Sequence, residues 1–286
     1  MIEDQDERRA RMTRHRIVSA SAVAALSLSM SGHLWAQQPP PGDPPPLFSI
    51  SSDPKLLAPL PPPSAEMLKK FPPSTDPRNF EGTWLAERLT MRPPGSGPSI
   101  PYTDAAKQRM QQRAQRQREA DAQGKVLLTD AGRCRPMGGM GIGADLFPAE
   151  IIQTPDKIVI LNEEGRGRWI IHLNGEHPKN LKASHFGHSI GRWEGDTLVI
   201  DSVGLSAVTD GFVGAGMHSE KARIVSRLRK SDGGNTLELT STIYDPETYT
   251  RPFEGRKTIS HWHPELSVLE FQCEENMEGA REGIIE

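Results

Sequence analysis

Cysteine is nearly missing from this chain: Cys134 and Cys273 are the only two among 286 residues. No CxxC pair or finger spacing can be built from them, which argues against a cysteine-bound structural zinc. They lie far apart, and an oxidising compartment permits their pairing across a long loop, with two separate thiols as the alternative. An excess of charge of either sign is also lacking. A formal net charge of -3 gives no reason to expect nucleic acid as a partner. A long hydrophobic run is absent as well, because the longest apolar stretch, 17–30, falls short of the roughly 20 residues of a membrane span and is interrupted by serines.

That short stretch has another reading. From Met12, a basic region (Arg14, His15, Arg16) precedes the apolar residues, and Ala36 stands before Gln37. This is the pattern of a secretory signal cleaved near Ala36, with 1–11 as an upstream extension. A periplasmic or secreted protein with no integral membrane segment after cleavage is expected. Proline then crowds the residues from 37 to 78 (PPPGDPPP, LAPLPPPS, FPPSTDP). It removes backbone donors and fixes φ, so a disordered arm or tether is expected before a single domain at 79–286.

Within that domain, 103–123 is rich in helix formers behind Thr103, a plausible N-cap. Its few apolar positions, Ala106, Met110 and Ala114, predict a thin buried stripe and hence a surface helix. From Ala149 the period changes to two. EIIQTP, KIVILNE, GRWIIHL, HSIGRW, TLVIDSVG, ARIVSRLRK, TLELTSTIY, RKTISHWH and SVLEFQCEE are separated by glycine, proline and acidic turns. Successive antiparallel hairpins are the reading, and the lack of a helical pattern between strands argues against parallel crossovers. With FEGTWLAERL as a first strand, about eight or nine strands suffice for a mainly β fold, an antiparallel up-and-down barrel. A β-sandwich is the alternative.

The GTW opening (Gly82, Thr83, Trp84) is similar to the start of lipocalin-like and other calycin barrels, a resemblance that bears on architecture only. GHSIGRWEGDTLVID, GMHSEKARIVSRLRK, TLELTSTIYDPETYTRPF and FQCEEN together resemble a large group of exported bacterial proteins of uncharacterised function. The resemblance runs from about Cys134 to the end and implies export, without an activity or a cofactor. Where that group carries an acidic residue before the arginine of a later strand, this chain has Ser226 before Arg227.

Candidate chemistry gathers around one hairpin. Asp201 ends the apolar run TLVID, and a carboxylate there must be solvated, partnered, or buried with a raised pKa. His188 stands on the strand across the EGD turn, where a regular register brings it near Asp201; an imidazole beside a carboxylate suits general acid or base work. His218 lies at the end of the glycine-rich loop GFVGAGMHSEK and is a candidate proton donor. With Ser219 beside it a hydrolase pair is conceivable, but no nucleophile-elbow pattern is present. His188, Asp201 and His218 are therefore the candidate catalytic residues. Each also has a plain structural reading, as a packed histidine, a strand-end turn aspartate and a loop residue.

Arg223, Arg227 and Arg229 share one face of their strand. Facing solvent they are ordinary; facing inward, Arg223 and Arg227 would hold a ligand carboxylate or neutralise Asp201. Trp193 is a further candidate ligand contact. HWH puts His261 and His263 on one side of a strand, a weak alternative metal pair, and HFGH (His185, His188) offers another. No cofactor is expected. The overall expectation is an exported barrel that encloses a small apolar or carboxylate-bearing ligand, as an enzyme using His/Asp acid–base chemistry (lyase, isomerase, cyclase or hydrolase), as a non-catalytic carrier, or as a metal-dependent enzyme.

Overall fold

The computed structural model describes residues 63–86, 100–127, 147–163, 167–208, 217–255, 257–270 and 284–285. All belong to one compact unit, Gly42–Glu286. The expected signal segment, most of the proline arm, and Cys134 and Cys273 lie outside the described residues.

The period-two segments form strands where the alternation expected them. They are β1 (Gly82–Ala86), β2 (Val126–Leu127), β3 (Ala149–Gln153), β4 (Lys157–Asn162), β5 (Arg168–Leu173), β6 (His188–Glu194), β7 (Thr197–Val203), β8 (Arg223–Ser231), β9 (Thr236–Tyr244), β10 (Phe253–Glu254), β11 (Thr258–Trp262) and β12 (Ile284–Ile285). Strands β1, β3 to β9 and β11 pair in chain order and close on themselves, giving a nine-stranded barrel. Closure removes the unpaired edges that a flat meander of this length would expose. The short β10 adds to the end of β9, and β2 pairs with β12 in a separate two-stranded ribbon.

Two departures from the expected meander matter. The strand expected at SVLEFQCEE is absent over its described part, 267–270, and the barrel is closed instead by β11 on β1, with Trp84 opposite Trp262. More consequentially, one seam is parallel: β5 and β6 run in the same direction, with Ile171 opposite Ser189 and Leu173 opposite Gly191. A parallel pair needs a connection of about a dozen residues to carry the chain back. The stretch 174–187 supplies it without a helix. This segment therefore returns along the barrel, and it enters β6 through Gly187, at φ 56°. A Cβ there would stand 2.3 Å from the Val203 carbonyl oxygen, so the close approach admits only glycine.

Alternation sorts each strand into an inner and an outer face. Trp84, Ile151, Ile158, Ile160, Trp169, Ile171, Leu198, Ile200, Leu228 and Leu239 point inward into one continuous buried cluster. Each such side chain taken from water contributes about 1.5–3 kcal/mol. The polar groups inside are matched to one another. Trp169 Nε1 donates to Ser189 Oγ at 2.7 Å, and Ser189 and Ser202, opposite each other on β6 and β7, share a 2.7 Å hydrogen bond. Ser226 and Ser241 do the same at 2.8 Å across β8 and β9. Ser226, the departure from the group's acidic residue, is thus a fully buried inner-face position.

Helix α1 (Ala65–Lys70) is capped by Ser64, whose hydroxyl accepts from Met67 N. It stands within the expected arm. The residues after it are tied to the barrel by Trp262 Nε1 donating to the Phe71 carbonyl at 2.9 Å and Lys230 Nζ to that of Ser74 at 2.8 Å. Prolines end this helix early but leave carbonyls free to accept, which is why the end of the arm can dock. Helix α2 (Asp104–Ala122) begins at Thr103, whose hydroxyl accepts from Ala106 N. Its buried stripe is Ala106, Met110 and Ala120, with Ala114 only half-buried. Ala106 and Met110 pack on Met217 and Tyr102. No helix among the described residues is long and apolar enough to cross a membrane.

Candidate functional site

The hairpin of β6 and β7 turns at Gly195, with His188 opposite Val203 and Ile190 opposite Asp201. His188 and Asp201 are therefore diagonal neighbours on one face, as a regular register implies. That face is the outer one. The alternate residues, Ser189, Gly191, Ile200 and Ser202, occupy the interior. Of the alternatives for Asp201, the partnered one is what the fold adopts: the inward positions are filled by the packed cluster, and the imidazole and carboxylate stand on its outside.

What brings them together is the crossover. It lays His177 between them, with His177 Nδ1 2.9 Å from His188 Nδ1 and His177 Nε2 3.7 Å from Asp201 Oδ2. On the other side of His188 lies His172, the last outward residue of β5, its ring stacked at 4.9 Å and 7°. Asp201 also receives two hydrogen bonds from Arg223, from Nε at 2.8 Å and from Nη2 at 2.9 Å. The strap, β5, β6, β7 and β8 each give one side chain to this group.

Electrostatics favours one sense for the proton chain. A carboxylate facing His177 Nε2 favours a proton on that nitrogen, which leaves Nδ1 as an acceptor. His188 then donates its Nδ1–H to His177, and its own Nε2 carries the free lone pair. Burial, followed by the proximity of the His172 and His177 imidazoles, pulls the His188 pKa below its ordinary value, so the ring stays neutral, with a lone pair available, to lower pH. His177 Nε2 is buried with no hydrogen-bond partner, so a new charge on that ring would meet Asp201 first. When His188 Nε2 takes a proton, Nδ1–H can pass to His177, which places the positive charge beside Asp201.

The remaining candidates fall elsewhere. His218 is buried in another neighbourhood, paired by its backbone with Val208, and its Nδ1 lies 3.2 Å from the Ser219 carbonyl oxygen. Burial pulls its pKa down, against the raising effects of that carbonyl and of Asp245. Ser219 does not face it: its hydroxyl and its backbone N–H both donate to Asp245, at 2.8 and 2.6 Å. Asp245 is 2% exposed. Burial pushes its pKa up, but the hydrogen bonds from Ser219, Thr248 and Glu247 outweigh that and hold it low, which makes it a loop clamp.

Arg223 and Arg227 face outward and are engaged, Arg227 with Glu194 at 2.8 Å, so of the two alternatives the strand adopts the solvent-facing one. Trp193 packs against the core beside Phe80 at 5.3 Å, with the Arg78 guanidinium 5.6 Å from its ring. His263 is bound to Glu265 at 2.8 Å, and His261 Nδ1 lies 3.5 Å from Thr236 Oγ1. His185 is a half-buried crossover residue. No group of three metal-ligating side chains suited to an ion occurs among the described residues.

Sequence reasoning missed His172 and His177. The alternation of β5 places His172 outward, a signal that was present. Nothing local marks His177, because its position depends on a parallel seam that hairpin logic argues against. No protein-family model matches this chain, and no curated protein or solved structure matches it either.

Proposed function

We propose that this protein is an exported β-barrel enzyme that moves a proton on a small, largely apolar molecule, with His188 as the general base and no organic cofactor. The observation that carries the reading is the chain Asp201, His177, His188, in which a neutral imidazole is oriented by a second one and backed by a carboxylate. Such an arrangement suits isomerisation, where one base removes a proton and returns it, or elimination and cyclisation, where the proton removed leaves with the departing group or to solvent. The apolar preference follows from the surroundings: Val199, Val203 and Val225 are half-buried on the same outer face, and Val203 stands directly opposite His188. Export rests on the signal pattern of 12–36.

A general probe of a positioned base is the ring opening of 5-nitrobenzisoxazole, which requires a single proton abstraction. The expected outcome is saturable acceleration by the wild-type protein and a loss of about 100-fold in His188→Gln. The rate should persist to lower pH than free imidazole allows, because the His188 pKa is depressed. Acceleration no better than that of free imidazole, or one that His188→Gln leaves unchanged, sinks the enzymatic reading. Stoichiometric binding of the probe without turnover would point to a carrier.

A further inference from the structure

The crossover is held to the barrel at its two ends. Asn174 N donates to the Gly191 carbonyl at 3.0 Å, and Arg192 Nη2 to that of Gly175 at 3.2 Å. At the other end Ser184 N donates to the Gly204 carbonyl at 3.0 Å, and Ser206 N returns to that of Ser184 at 2.8 Å. Between these anchors stands His177, joined to His188 through two facing Nδ1 atoms.

We propose that 174–187 is an acid-released strap, whose latch is the hydrogen bond between His177 and His188 and whose trigger is the arrival of a second proton in the cluster of three imidazoles, His172 stacked on His188 and His177 edge-on to it. The bond needs one donor and one acceptor, and the two Nδ1 atoms at 2.9 Å satisfy it only while at least one ring is neutral. A first proton is accommodated. On His177 it places Nε2–H toward Asp201, and Nδ1–H donates to a neutral His188. A second proton on His188 sets N–H against N–H, with the stacked His172 ring 4.9 Å away.

The charges around the latch do not cancel this. On β7 there is one carboxylate, Asp201, already bound by Arg223 of β8. Tyr244 on β9 lies opposite Arg223. Against His172 stand Asp156 of the turn between β3 and β4 and Lys157 at the start of β4, and Arg168 lies on its own strand. On β6 Arg192 is cationic, and the strap itself carries Glu176, Lys179, Lys182 and His185. The depressed His188 pKa agrees with the latch, since the closed form resists the proton that the open form accepts. Closed-form stability is therefore complete above the ordinary imidazole value of about 6.5 and is lost as pH falls below it toward the depressed value.

The test is segment-resolved hydrogen exchange on the full chain at about pH 7.5 and about pH 5, with intrinsic rates corrected for pH, which reads local opening without reference to any activity. Protection at 174–187 should fall more than about tenfold at the lower pH while β8 and β9 keep theirs. Opening around 217–222, where buried His218 titrates, is read as a separate segment. His177→Gln keeps a hydrogen-bonding group whose amide oxygen can accept from His188 in either protonation state, so its strap should stay closed at both pH values. Unchanged protection of the wild-type strap, loss shared equally by the whole barrel, or an acid response that His177→Gln retains in full would each overturn the proposal. The outcome is independent of whether His188 acts as a base.

Discussion

Inside the barrel and on its outer face, polar groups are handled in opposite ways. The inner serines and Trp169 are uncharged, sit in strand register and saturate one another. The outer histidines are titratable, come from three separate segments, and leave one ring nitrogen buried without a hydrogen bond. The inner network can only be satisfied or broken, whereas the outer one has the chemistry to take up a proton while its hydrogen bond persists. The first serves stability, and the second is where the proposed chemistry would lie.

That contrast can be broken at several points. Trp169→Ala removes a fully buried side chain and one of the two hydrogen bonds of Ser189, so urea denaturation should show a loss of about 3–5 kcal/mol. Ser189→Ala leaves the Trp169 Nε1–H without an acceptor in a dry interior, and the same measurement should read about 1–3 kcal/mol. At the outer face Asp201→Asn should cost under about 1 kcal/mol, because the Arg223 side chain is 58% exposed and the pair is screened by solvent. The same substitution should nevertheless reduce benzisoxazole turnover by about tenfold, since it removes the carboxylate that stabilises the positive charge relayed to His177. An Asp201→Asn variant as unstable as Trp169→Ala would erase the distinction between the two faces.

Acid provides the smallest and most selective effect. His218 is buried neutral with a depressed pKa, so an unfolded chain takes up its proton more readily than the folded one. The stability it contributes is intact above an unfolded value of about 6.5 and declines as pH falls through that value toward the folded one. A denaturation series over this range should show the decline in wild type and a shallower one in His218→Asn. If the two curves run parallel, His218 is not a titrating group of the native state.

The legibility of the molecule follows the range of the interactions. The alternating residues of KIVILN and TLVIDSV revealed their strands because the pleat is a local, two-residue property. The same rule correctly paired His188 with the neighbourhood of Asp201, because a short turn at Gly195 leaves little freedom of register. It also marked Arg223, Ser226 and Leu228 as belonging to opposite faces, yet it could not say which face was inside. His177 was invisible for a different reason. It sits on a segment with no periodicity, and its partner lies across a seam whose direction depends on where the whole chain returns.

From its sequence alone, this chain determined a β domain, the positions of nearly all its strands, its capped surface helix and the adjacency of His188 to Asp201. These depend on contacts between residues close along the chain, where backbone geometry leaves few choices. Only the tertiary structure decided that Trp169 and the serines face inward, that the β5–β6 seam is parallel, and that His172 and His177 join the site. Closing a barrel is a global condition, met by all nine strands at once, and it alone sets which face is dry and which segment must cross the outside to complete the circuit.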